Sequence, residues 1–126
     1  MFDQMKSMGA IAGLLRDKER LRETVERVKE NLDRSRVVGE AGGGAVVVTV
    51  TGRAKVISVE FSPALCAGMA SDDESRALAE SLMAEATNEA LEKAQAVMRE
   101  EFAGAARELG LPDMPGLSGM EGLLGA

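Results

Sequence analysis

The sequence predicts an α+β fold of order α-β-β-β-α: long N- and C-terminal helices around a small three-stranded antiparallel sheet. Three observations carry this. Residues 4–35 and 72–108 contain no proline and repeat apolar side chains at helical spacing. Residues 36–62 between them are rich in Val and Thr and alternate in polarity. Glycines interrupt that middle region where strands would have to reverse.

In the first helix, Ile11, Leu14, Leu21, Val25, Val28 and Leu32 form a narrow seam. With Ile11 at position a of a heptad, Val25 and Leu32 are also a, and Leu14, Leu21 and Val28 are d, as in a helix laid on a partner. Lys18 interrupts the seam. Three strands come next, Arg36–Glu40, Ala45–Thr51 and Lys55–Phe61. Val46, Val48 and Val50 share one face of the second; Ile57, Val59 and Phe61 share one face of the third, and these six are the candidate core and dimer residues. Gly52-Arg53 is a hairpin turn, and Pro63 stops the ladder because it has no N–H to donate.

Residues 64–70 read as a connector. Ser71-Asp72-Asp73-Glu74 has the S-x-x-E form of a capping box, with Ser71 as the cap. The last helix carries the stripe Ala79, Leu82, Met83, Ala86, Ala90, Ala94 and Val97, small enough to approach a sheet closely, and Gly104 is a weak point near its end. Residues 1–109 thus read as one domain, and the Gly/Pro-rich residues 110–126 as a flexible, loosely docked or disordered tail.

Composition narrows the function. Of 126 residues 45% are apolar but only 2% aromatic, so Ala, Val, Leu and Met must fill a thin core, and self-association is expected. The lone Cys66 and the absence of His exclude Cys/His zinc sites and any triad with a histidine base. A single cysteine suits a reducing cytoplasm. No stretch approaches the ~20 apolar residues of a membrane span. The N-terminus, with Asp3 and one Lys, does not read as a secretory signal.

The glycines invite comparison with a phosphate loop. Gly39 and Gly44 have P-loop spacing, but Ala45-Val46 stand where Lys and Ser/Thr are needed, and a strand comes next instead of a helix. Without a helix N-terminus there is no cradle for phosphate, so the glycines read as a bend between strands. Cys66 has no cation or base beside it in sequence, and Asp72, Asp73 and Glu74 are explained by a helix start. No catalytic residue, metal site or cofactor is expected.

Charge is segregated. Residues 1–36 hold nine Lys/Arg and seven Asp/Glu, a net of +2; residues 37–126 hold six and fourteen, a net of −8. On the heptad, Arg20, Arg27 and Arg34 fall on c, and Arg22, Lys29 and Arg36 on e, two cationic rows suited to phosphates. Acids lie between them, and Glu19–Arg22, Glu23–Arg27 and Glu30–Arg34 could equally be ordinary surface pairs. There is no base-reading pattern of Asn, Gln and Arg and no set of stacking aromatics.

The run Val38-Gly39-Glu40-Ala41-Gly42-Gly43-Gly44, continuing through the alternating strand to Gly52, resembles the core of the YbaB/EbfC proteins. Val56 to Leu65, with Phe61-Ser62-Pro63-Ala64-Leu65, resembles that family's ending of the third strand, and Asn88-Glu89-Ala90 its second-helix motif. The resemblance covers roughly residues 1–105. It implies a bacterial nucleoid-associated protein of cytoplasm and nucleoid, a tweezer-like homodimer whose sheets meet at the centre and whose helices project. It implies duplex DNA as partner, no enzyme activity, no cofactor and no membrane. By region and chemistry the DNA contact would fall on Arg16, Lys18, Arg20, Arg22, Arg27, Lys29, Arg34 and Arg36. The other reading open to the sequence is a structural or adaptor dimer that grips a partner helix through Leu21, Val25, Val28 and Leu32.

Overall fold

The computed structural model describes residues 2–110, with side chains from residue 16 onward. The seam positions Ile11 and Leu14 and the tail from residue 111 fall outside the described side chains. The order is α1 (Phe2–Arg34), β1 (Arg36–Ala41), β2 (Val46–Thr51), β3 (Val56–Phe61), α2 (Pro63–Ser71) and α3 (Asp73–Glu108). The strands form one antiparallel sheet in the order β1-β2-β3. The expected α-β-β-β-α order is therefore present, with one helix more.

That added helix replaces the expected connector. Ser62 caps it, its Oγ accepting from the Leu65 N–H at 3.2 Å, and Pro63 occupies the first turn, where its missing N–H costs nothing. The segment is too short and too rich in Ala and Gly to show a helical period. The cap of α3 also moves by one residue. Asp72 is extended, at φ −153° and ψ 159°, and its carboxylate accepts from the Ser75 N–H at 2.6 Å and the Ser75 hydroxyl at 3.0 Å. Ser71 instead ends α2, donating to the Ala67 carbonyl at 2.8 Å.

The core is a sheet of valines under a helix of alanines. Val37, Ala41, Val46, Val48 and Val50 pack on Ala79, Ala86, Ala90 and Ala94. Val46, Val48, Val50, Ala86, Ala90 and Ala94 are all fully buried. The approach is so close that a Cβ on Gly39 would lie 2.2 Å from the Ala86 carbonyl oxygen and 2.4 Å from the Ala90 nitrogen. Glycine is required there for space. At Gly42, Gly43 and Gly44 it is required for conformation: their φ values of 66°, 65° and 91° reverse the chain between β1 and β2.

Two core expectations change. Strict alternation puts Ile57 on the inner face with Val59 and Phe61. The register, however, pairs Thr49 with Ser58 and Val50 with Val56, so Ile57 is the extra residue of a β-bulge and is 48% exposed. Val59 and Phe61 remain partly buried against the core. On α3, Met83 points outward, and Met98, absent from the expected stripe, is buried. The helix ends at Glu108, as expected, passing through Gly104.

Met98 belongs to a second, smaller core with Val28 and Leu32 of α1, flanked by Val97, Phe102 and Ala105. This cluster fastens α1 to the far half of α3. The β2–β3 turn helps anchor α1 as well, since Gly52 N–H donates to the Leu32 carbonyl at 2.9 Å.

Candidate nucleic-acid interface

Helix α1 presents its residues at about 100° steps. Taking Thr24 as zero, Val28 and Leu32 lie at roughly 40° and 80°, the side against α3. Thr24 is buried there too, its hydroxyl donating to the Arg20 carbonyl at 2.8 Å. Arg20 and Arg27 lie at roughly −40° and −60°, and Arg16 and Arg34 at roughly −80°. Lys18, Arg22 and Lys29 lie at roughly 120° to 160°, on the outward flank. The acids Asp33, Glu26, Glu19, Glu30 and Glu23 fill the sector between the two cationic groups.

The eight candidate cations therefore have different fates. Arg20 donates to the Glu108 carbonyl at 2.8 Å, and Arg27 forms an ion pair with the Glu108 carboxylate. Both close onto the C-terminus of α3, where the helix dipole and Glu108 are negative. The partner of Arg27 is thus Glu108 and not Glu23, and neither Glu19–Arg22 nor Glu30–Arg34 is an ion pair among the described residues. Arg36 is not on the helix: it opens β1 and folds back to donate to the carbonyls of Asp33 at 2.8 Å and Ser35 at 3.2 Å. The second row is then Arg22 and Lys29, joined by Lys18. Arg16, Lys18, Arg22 and Arg34 are exposed and Lys29 is half-buried.

One further cation comes from a loop. Arg53, in the β2–β3 turn, sits 3.5 Å from Asp33 near the foot of α1. Only the tertiary fold brings it there.

Between α1 and α3 runs a groove of about 470 Å³, whose charged lining is Arg27 with Glu100, Glu101 and Glu108. Three acids against one paired cation make this groove unfavourable to phosphate. Elsewhere the chemistry is sparse. The turn Gly42–Gly44 joins two strands, and among the described residues no group of three His, Cys, Asp or Glu is arranged to hold a metal ion. Cys66 is exposed on α2.

The sheet has unequal edges. At β1, Lys93 of α3 donates to the Val38 carbonyl at 3.0 Å and pairs with Glu89 at 3.0 Å. Lys93 and the Glu40 backbone N–H hold the Glu89 carboxyl below the usual range. At β3 there is no such cover: α3 crosses β1 and β2, and Val56 and Ile57 are 47% and 48% exposed.

The glycine turn, the valine sheet and the charged arm all lie within one matched region. The YbaB/EbfC DNA-binding family model matches residues 8–109. The chain belongs to this family. Its fold is also similar to the crystal structure of the uncharacterized protein HP0035 from Helicobacter pylori, with a TM-score of 0.51 and 14% identity over 63% of this chain and 86% of that one. At that identity the likeness concerns the fold alone. Among the described residues no helix is long and apolar enough to cross a membrane.

Proposed function

We propose that this YbaB/EbfC-family protein is nucleoid-associated, in the bacterial cytoplasm, and binds duplex DNA as a homodimer, mainly through the sugar-phosphate backbone. By doing so it affects nucleoid organisation and gene expression. The observation that carries the reading is the outward strip Lys18, Arg22 and Lys29, free of α3 and spread over roughly 16 Å of helix rise. Its cations are point charges and forks suited to phosphate, with no partner set for base edges. A second copy would join at the uncovered β3 edge, because β1 is closed by Lys93. Each copy would then supply one arm, and the chemistry of the site calls for no cofactor.

Three phosphate contacts on each of two arms give a slope of log affinity against log salt of about −5. Raising salt from 50 to 200 mM should then weaken binding on the order of a thousandfold. Mobility-shift titrations on unrelated duplexes test this. Lys18→Glu, Arg22→Glu and Lys29→Glu together should weaken binding at low salt at least about tenfold and flatten the salt dependence. No shift with micromolar wild-type protein at low salt would sink the proposal.

A further inference from the structure

Among the described side chains the apolar stripe of α1 is only half covered. By helical position Leu21, Val25, Val28 and Leu32 lie within a sector of roughly 60°. Val28 and Leu32 are buried under α3, but Leu21 is 48% and Val25 36% exposed. The two helices run antiparallel, Leu32 packing near Met98 and Arg20 meeting Glu108. So α3 ends beside Arg20 while α1 continues back to Phe2.

We propose that residues 111–126 of the same chain dock along this uncovered stripe and lie over Lys18 and Arg22. Position, reach, pattern and charge support this occupant. Gly110, at φ 73°, donates to the Arg107 carbonyl at 3.0 Å and turns the chain off the end of α3, which the Arg20 side chain reaches at Glu108. Sixteen extended residues span roughly 50 Å at 3.1 Å each, whereas α1 from Leu21 back to Phe2 spans roughly 28 Å. Leu111, Met114, Leu117, Met120 and Leu123 recur every third residue, the spacing that would share one face if the segment docked in a polyproline-type conformation. The segment carries Asp113 and Glu121 and no Lys or Arg, opposite in sign to the Lys18 and Arg22 that border the stripe. Once docked it shields those two cations; this part of the proposal rests on their role in DNA binding.

The test uses the full chain with a photo-crosslinking benzoylphenylalanine in place of Leu21, an exposed position. Isotopically heavy and light chains are mixed before irradiation, and the joined peptides are identified by mass spectrometry. The expected product links α1 to residues 111–126 within one isotopic chain. Links to a second copy or to another protein, or a lack of links to 111–126, overturn the docking. Met114→Ser, Leu117→Ser and Met120→Ser together should abolish the link and tighten binding to an unrelated duplex several-fold. If the link is lost but DNA affinity stays the same, while reversing Lys18, Arg22 and Lys29 still weakens binding, the shielding is wrong. If that charge reversal has no effect either, the DNA reading fails and the docking stands on the crosslink.

Discussion

The base and the arm of this molecule are built by opposite means. In the base, valines of the sheet meet alanines of α3 with no solvent between them, and even a methyl on Gly39 would strike backbone. In the arm, the described part of α1 packs on α3 mainly through Val28 and Leu32, and most of its other described residues are exposed. Its outer fastening is the half-exposed pair Arg27–Glu108 with the Arg20 bond beside it. An exposed pair of this kind contributes only about 0–1 kcal/mol. Close packing is concentrated where the sheet lies, and charge is displayed where packing is thinnest. The base thus positions an arm held by few contacts of its own.

Breaking the base should cost most. Gly39→Val drives a branched side chain into the Ala86 and Ala90 backbone, which cannot yield as a flexible side chain would. It should lower stability by about 3 kcal/mol or more, read from the denaturant midpoint. A loss under about 1 kcal/mol would mean that the helix can lift from the sheet. Leu32→Ala attacks the small core of the arm. Leu32 is fully buried beside Met98, and its loss should cost about 2–3 kcal/mol. Hydrogen exchange should show the arm loosening more than the sheet; equal loosening of both would erase the distinction between them.

Acid sharpens the comparison with a smaller effect, felt in the base. Bonds from the Ser75 backbone N–H and hydroxyl hold the Asp72 carboxyl below its ordinary range. A depressed folded pKa contributes stability above the unfolded value, and that contribution is lost as pH falls through the folded one. The loss belongs to the window below about pH 4. Asp72→Asn keeps a competent cap and removes the titration. Its stability at neutral pH should match the wild type, and its decline between pH 4 and pH 2 should be shallower. An identical acid decline would assign the effect to other carboxylates, Glu89 among them.

Local repetition made much of this fold legible. Val46, Val48 and Val50 alternate because a strand has a period of two, and Ala86, Ala90 and Ala94 recur because a helix has 3.6 residues per turn. The glycines could be told from a phosphate loop because they lead into the valine strand and not into a helix. Where the reading departed from the structure, the information was not local. Ile57 obeys the alternation until the register with Val50 shifts, and register depends on the other strand. Asp72 takes the capping role from Ser71 because α2, too short to announce itself, has already claimed Ser71. In the candidate site the outward cations Lys18, Arg22 and Lys29 were all named from sequence, but so were Arg20, Arg27 and Arg36, which spend their donors inside the fold.

The sequence by itself determined the order of the elements, the valine face of the sheet, the placement of positive charge in the first helix and the family resemblance. Each arises from residue type and spacing along one element. The tertiary structure alone decided which cations α3 engages, that Arg53 reaches Asp33, that Lys93 bonds the edge of β1 while Val56 and Ile57 of β3 are exposed, and that Val28 and Leu32 of the α1 stripe are buried while Leu21 and Val25 are exposed. Those depend on where a second element ends and which of its groups face the first. Spacing within either element does not contain that distance.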